Sequence, residues 1–195
     1  MRRTSQIIPP EVLLEAYSRG IFPMASPLTG RVEWYQADPR GIIDLERFHI
    51  PCRLRRSLRQ NPFEIRIDSS FDEVIAACAD RDDTWISRAI RNSYQGLHRA
   101  GYAHSVESWR DGSLQGGLYG VAIQGAFFGE SMFHRTDNAS KAALIALSGH
   151  LRSRGFQLLD TQMVTPLTAQ FGAELISAAE YQIRLKKALH SDCQF

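Results

Sequence analysis

Cysteine is scarce in this 195-residue chain: Cys52, Cys78 and Cys193 are the only ones, an odd number with no C-x-x-C spacing. That leaves no disulfide framework and no cysteine-built zinc site, and it reads as free thiols in a reducing, cytoplasmic setting. Long apolar runs are missing too. Nothing approaches the roughly 20 residues a membrane helix needs, and Glu11 and Glu15 interrupt any signal-peptide core behind Arg2 and Arg3. The six histidines show no H-E-x-x-H spacing, and there is no G-x-S-x-G elbow, which argues against metal-assisted hydrolysis and a serine nucleophile. Repeats and low-complexity segments are absent. With 44% hydrophobic and 23% charged residues the composition is that of a soluble globular chain, not a disordered or fibrous one. No extended apolar stripe is left over for a second copy, which points to a monomer.

Lysine is nearly absent, whereas arginine is abundant: 20 Arg against 3 Lys, within a net charge of only +2. The stretch from Arg47 to Arg59 holds five Arg and no acid. Read as a helix over Cys52–Arg59, it places Arg55, Arg56 and Arg59 on one side, with Arg53 nearby. Planar guanidinium forks suit a nucleic-acid backbone; a solvated helix face is the plainer alternative.

Glycine, proline and apolar spacing divide the rest. A helix is expected over Glu11–Tyr17, ended near Gly20, then an irregular stretch from Phe22 to Arg40 and a short strand over Gly41–Leu45. Phe63–Asp68 alternates as a strand, and Ser70 with Glu73 has the form of a capping box opening a helix to Ala79. Ser87–Arg99 reads as another helix. Ala103–Arg110, Ser113–Ile123 and Ala126–His134 read as three strands joined by the two-residue turns Asp111-Gly112 and Gln124-Gly125. A long helix over Asn138–Arg154, a buried strand over Phe156–Gln162 and a terminal helix over Ala178–Leu189 complete an α+β chain.

Three groups of residues resist explanation as packing. Glu130 lies in the otherwise apolar run Phe127-Phe-Gly-Glu-Ser-Met-Phe133; strict alternation puts it on the face of Phe128 and Met132. An unpaired buried carboxylate costs several kcal/mol, so Glu130 needs either a salt bridge, to an Arg or Lys141, or a chemical role. Asp160 and Gln162, at i and i+2 at the end of a buried strand, project together. They could orient an amine and take its proton, or Asp160 could simply satisfy a turn. Trp34, Tyr35 and Trp85 sit in loop regions, where aromatics either pack or stack on a base.

Taken in order, Ala16-Tyr-Ser-Arg-Gly-Ile-Phe-Pro-Met24, Asp38-Pro-Arg40, Thr84-Trp-Ile86, His104-Ser-Val-Glu107, Gly116-Gly-Leu-Tyr-Gly-Val121, Phe128-Gly-Glu-Ser-Met-Phe133, Asn138-Ala-Ser-Lys141 and Leu159-Asp-Thr-Gln162 resemble the leucyl/phenylalanyl-tRNA–protein transferases. The resemblance runs from about residue 8 to 181. It implies an N-acetyltransferase-like C-terminal domain, over 63–195, behind a small α/β N-terminal domain over 1–62. It also implies an enzyme that moves Leu or Phe, and Met less well, from aminoacyl-tRNA to proteins beginning with Arg or Lys, marking them for degradation, with no cofactor or metal.

On that resemblance Asp160, Gln162 and Glu130 are the catalytic candidates: Gln162 to hold the attacking amine, Asp160 to polarise Gln162, and Glu130 to fix the donor's amine or the acceptor. Trp34, Tyr35 and Trp85 would stack near the terminal adenosine. Phe128 and Met132 would shape the side-chain pocket, with Ser131 and Asn138 completing the substrate-binding set. Arg53, Arg55, Arg56 and Arg59 would grip the tRNA. Two rivals remain. A coenzyme A-dependent N-acetyltransferase needs a glycine-bearing pyrophosphate loop, but His134–Lys141 contains no glycine. A bare RNA-binding module would leave Glu130, Asp160 and Gln162 without a task.

Overall fold

The protein is described here by a computed structural model over residues 7–26, 29–82 and 84–195. In chain order its elements are α1 (Pro10–Ser18), β1 (Phe22–Ala25), β2 (Val32–Tyr35), β3 (Arg40–Ile43), α2 (Cys52–Gln60), β4 (Glu64–Ile67), α3 (Phe71–Ala79), α4 (Arg88–Arg99), β5 (Ala103–Arg110), β6 (Ser113–Ile123), β7 (Ala126–His134), α5 (Ala139–Ser153), β8 (Leu158–Gln162), α6 (Pro166–Ala169), β9 (Ala173–Ile176) and α7 (Ala178–Ala188). The fold is the mixed α+β one expected.

Seven strands form one sheet in the order β4-β5-β6-β7-β8-β3-β9. Every neighbouring pair is antiparallel except β7 and β8, which run parallel from Ala126↔Leu158 to Phe128↔Asp160. The β5–β6–β7 meander forms where the alternation and turn residues place it: Asp111 and Gly112 both take positive φ, 51° and 70°, as a two-residue hairpin turn requires. Gly155, at φ 79°, follows the end of α5.

Alternation sends successive side chains to two cores. Ile42, Phe128, Leu158, Tyr119 and Val121 join Tyr17, Val74, Ile90, Tyr94 and Tyr181 on the side of α1, α3, α4 and α7. Ile43, Phe127, Leu159 and Leu118 join Leu54, Leu144, Leu147 and Leu151 on the side of α2 and α5.

Several expectations change. The stretch from Phe22 to Arg40 is not irregular throughout: β1 and β2 pair antiparallel, with Phe22 opposite Tyr35 and Ala25 opposite Val32. Strand β9 and helix α6 lie in a region that carried no assignment. Ser70 does not form a capping box, because its backbone N–H is taken by Glu107 Oε1 at 2.9 Å and its hydroxyl reaches the Glu73 side chain. A capping box forms instead at Thr165 and Thr168, around α6. Strand β3, from the first 62 residues, is an interior strand of the large sheet, between β8 and β9.

Candidate active site

The parallel pair β7–β8 pairs only as far as Phe128 and Asp160, and beyond that point the two strands lead into the site. On β7 the register against β6 shifts: Gly120 faces Gly129 while Tyr119 faces Ser131, so Glu130 is an extra, unpaired residue in a bulge. One extra residue flips everything after it to the other face. Phe128 and Glu130 therefore face the α1/α4 side, and Met132 packs on the α5 side with Leu118. The shared face expected for Phe128, Glu130 and Met132 is thus corrected by the bulge.

Glu130 makes no ion pair among the described residues, with Lys141 or with any Arg. Its carboxylate accepts from Tyr17 Oη on Oε1 at 2.7 Å and from Tyr94 Oη on Oε2 at 2.9 Å. The two tyrosine hydroxyls also touch each other. Gln162 Nε2 donates to Glu130 Oε1 at 3.3 Å. Three donors leave a carboxylate with room for one more. Desolvation pushes the Glu130 carboxyl up to about 7, with the two tyrosine hydrogen bonds pulling the other way. The same burial beside Glu130 holds the phenols of Tyr17 and Tyr94 well above their usual range, so both stay protonated donors.

Asp160 lies behind this cluster and is fully buried with Arg40. Arg40 Nη2 donates to Asp160 Oδ2 at 2.7 Å and Nε to Oδ1 at 3.0 Å, a bidentate pair. Tyr181 Oη donates to Oδ2 at 2.6 Å, and the backbone N–H of Gln162 donates to Oδ1 at 2.8 Å. Arg40 also donates to the Gly20 carbonyl at 2.8 Å and lies against the rings of Phe22 and Tyr181. The contact between Asp160 and Gln162 is therefore through the backbone, and no bond joins the Asp160 carboxylate to the Gln162 side-chain amide. Gln162 sits at φ 54°, in the left-handed region that non-glycine residues rarely adopt. Asp160 pins that conformation, which turns the amide to Glu130.

These groups open on a cavity of about 290 Å³ whose walls include Glu130, Gln162, Ser131, Met132, Trp85 and Arg81, with Leu118, Leu144, Leu147 and Leu159 as its apolar part. Cavities of about 360 and 450 Å³ lie elsewhere and hold none of the expected site residues. The 290 Å³ space has the size and apolar character of a branched or aromatic side-chain pocket with a few convergent polar groups.

The structure thus brings together Glu130, Gln162, Ser131, Met132 and Trp85. Asp160 is adjacent but sealed away. Phe128 is fully buried, packed on Tyr17 at 4.9 Å between ring centroids, and is not part of the cavity wall. Trp34 and Tyr35 lie on the exposed strand β2, which joins the cavity wall through its hairpin partner: Ala25 N–H donates to the Trp85 carbonyl at 3.1 Å. Asn138 lies elsewhere, at the start of α5, where its amide reaches Ser57 Oγ at 3.4 Å beside a different, 220 Å³ cavity.

Arg53, Arg55, Arg56 and Arg59 are exposed on α2 and make no ion pair among the described residues. Arg47 is taken up by Asp44 and Glu174. Among the described residues, no three His, Cys, Asp or Glu side chains converge as a metal site, and no helix is long and apolar enough to cross a membrane.

Sequence reasoning missed Arg40, Tyr17, Tyr94, Tyr181 and Arg81. Tyr17 and Arg40 stand inside motifs that had been singled out, but nothing local marks them as partners of residues 113 and 120 positions away. Arg81 donates to Ser131 Oγ and to the Cys78 carbonyl, so the serine named as substrate-binding is already engaged by a cation at the cavity wall.

A mixed sheet whose one parallel pair leads to a polar-edged apolar cavity can seat an apolar side chain beside a carboxylate and an amide. The family model for leucyl/phenylalanyl-tRNA protein transferase matches residues 42–186, and that family's N-terminal domain model matches 7–38. A leucyl/phenylalanyl-tRNA–protein transferase of Gloeobacter violaceus is 52% identical over 186 residues, covering 95% of this chain and 96% of its own. One from Akkermansia muciniphila is 52% identical over 184 residues, covering 92% and 95%. The chain belongs to the leucyl/phenylalanyl-tRNA–protein transferase family and is an aminoacyltransferase.

Among solved structures it is similar to L-PGS from Bacillus licheniformis, with TM-score 0.45 and 11% identity over 90% of this chain and 61% of that one. It is also similar to a GCN5-related N-acetyltransferase-like protein from Streptococcus suis, with TM-score 0.42 and 13% identity over 86% and 64%.

Proposed function

We propose that this enzyme transfers Leu or Phe, and Met less well, from aminoacyl-tRNA to the α-amine of proteins that begin with Arg or Lys, marking them for degradation. The observation that carries the reading is the half-buried Glu130, without a cation, held by two tyrosines and Gln162 at the wall of an apolar cavity. The cavity takes the donor's side chain. Glu130 and Gln162 face the incoming amine, whose positive charge, and that of the acceptor's Arg or Lys, complement the carboxylate.

The reaction is aminolysis of an ester. The acceptor's α-ammonium first gives up one proton to solvent; the neutral nitrogen then attacks the aminoacyl carbonyl, a second N–H proton passes to Glu130, and the ribose oxygen of the terminal adenosine takes that proton up as its C–O bond breaks and the amide forms. The ester supplies the driving force. An α-amine titrates near 8 and Glu130 near 7, so the proton moves between groups of similar affinity, which is the efficient case for a general base. Gln162, fixed by Asp160, holds the geometry of attack; positioning of this kind can supply a large part of the rate.

Trp85 in the wall, with Trp34 and Tyr35 on the tethered hairpin, would stack on the terminal adenine. The unpaired arginines of α2 would hold the tRNA backbone. The domain division that goes with this reading, a small unit over 1–62 and a catalytic unit over 63–195, is crossed by β3, which lies inside the large sheet between β8 and β9, and by α2, whose Leu54 packs in the α5 core. The test is transfer of labelled Leu from Leu-tRNA to a model protein beginning with Arg, beside the same protein beginning with Ala. Transfer to the Arg version alone is expected; equal transfer to both would remove the acceptor rule, and transfer to neither would remove the reading.

A further inference from the structure

Two hydroxyls in the wall of the 290 Å³ cavity, those of Tyr119 and Thr161, are buried without a hydrogen-bond partner among the described residues, and of the two Tyr119 is the one whose strand partner adjoins Glu130. Tyr119, on β6, is fully buried, lies in the wall of the 290 Å³ cavity, and its hydroxyl has no hydrogen-bond partner among the described residues. The other tyrosines of the site are all engaged: Tyr17 and Tyr94 donate to Glu130, and Tyr181 donates to Asp160. A buried hydroxyl left unpaired costs folding free energy that a phenylalanine at the same position would not. The ring itself is well packed, edge-on to Phe71 and Tyr94 with centroids 5.9 and 5.5 Å away. The unexplained feature is thus the oxygen alone.

We propose that the Tyr119 hydroxyl donates a hydrogen bond to the carbonyl oxygen of the aminoacyl ester as that oxygen becomes negative during attack. This rests on the transferase reading above and deepens it. As the amine nitrogen bonds to the carbonyl carbon, the C=O π pair moves onto oxygen while the amine proton passes to Glu130. When the C–O bond to the ribose breaks, the pair returns and the ribose oxygen takes up the proton.

Negative charge is thus lost at Glu130 and gained at the carbonyl oxygen, a shift that a neutral donor near the carboxylate favours. Tyr119 meets both conditions. Its partner residue on β7 is Ser131, next to Glu130 in the bulge, and Glu130 lines the same cavity. Its phenol is held well above its usual range, by burial first and then by the negative charge of Glu130, so the group keeps its proton. Arg81, in the same wall, adds a positive field that opposes that rise and supports an anion there.

The experiment is Tyr119→Phe, which removes one oxygen and leaves the packed ring. Three quantities are measured: the urea midpoint, the affinity for a tRNA carrying its amino acid through an amide in place of the ester, and the single-turnover rate of Phe transfer from Phe-tRNA to an Arg-starting peptide. The expected result is a midpoint unchanged or raised, an affinity unchanged within about twofold, and a rate lowered roughly a hundredfold, the loss seen when one donor to a developing oxyanion is removed. A rate equal to that of the unsubstituted enzyme would overturn the proposal. So would a loss of affinity as large as the loss of rate, which would make Tyr119 a ground-state contact. An unsubstituted enzyme that transfers nothing from Phe-tRNA would instead remove the transferase reading on which the proposal rests.

Discussion

Asp160 and Glu130 are carboxylates on adjoining strands, β8 and β7, and both accept hydrogen bonds from tyrosine hydroxyls, yet the fold uses them in opposite ways. Asp160 is sealed from solvent, meets a bidentate Arg40, and has both oxygens occupied by Arg40, Tyr181 and the Gln162 backbone. Glu130 has no such cation, is half-buried, and lines the cavity. A paired and fully hydrogen-bonded carboxylate is a structural clamp. One with two phenols, an amide and a spare acceptor site is free to exchange a proton with a ligand. Carboxylate identity therefore does not decide the role; the presence of a cation and of an open side does.

The comparison predicts that the two sites fail differently. The largest expected effect is on stability at the clamp. Arg40→Met leaves Asp160 buried without its cation and should cost about 3–5 kcal/mol in urea unfolding. The double variant Arg40→Met/Asp160→Leu should recover part of that loss, because it removes the stranded charge. Losses that add, with Asp160→Leu alone as the third variant of the cycle, would mean that Arg40 and Asp160 do not act as a pair.

At the other carboxylate the sign reverses. Glu130 has its carboxyl raised from 4.5 to about 7. Between those values the folded protein keeps a proton that the unfolded chain releases, so this group makes stability fall as pH rises through that window, by about 3 kcal/mol in all. Glu130→Gln should flatten that part of the stability profile and still lower the transfer rate about a hundredfold or more. A variant that unfolds as Arg40→Met does would erase the distinction between the two sites.

The smallest expected effect sharpens the second case. Tyr94→Phe removes one of the bonds that pull the Glu130 carboxyl down, so the pH dependence of transfer should move upward, at a stability cost of about 1 kcal/mol. A profile that does not move would show that the Tyr94 hydroxyl does not tune Glu130.

The sequence was informative where structure is local. The meander, its turns and the long α5 follow from alternation, Asp111-Gly112 and Gly155, all read within a few residues. Glu130, Gln162 and Asp160 stood out because polar groups in apolar strands demand an explanation. What stayed hidden depends on distant pairing. The four-residue strand β9 exists because β3 offers it an edge, and Arg40 looks like a surface arginine until Asp160, 120 residues on, is placed beside it. The bulge at Glu130 is invisible to strict alternation, so Phe128 and Met132 were assigned to one face when they occupy two. Asp160 and Gln162 are joined through the backbone: the N–H of Gln162, not its side-chain amide, donates to the Asp160 carboxylate, a contact that depends on the left-handed turn at Gln162 and not on side-chain spacing along the strand.

In the proposed mechanism Glu130 takes the proton of the attacking amine. Single-turnover transfer from Leu-tRNA to an Arg-starting protein, followed from pH 5.5 to 9 in the unsubstituted enzyme and in Glu130→Gln, tests it most directly. The expected result is a rise through about pH 7 in the unsubstituted enzyme that disappears in the variant, leaving only the limb of the acceptor's own amine at about pH 8. The same two-step profile in both proteins, scaled only in height, would contradict it.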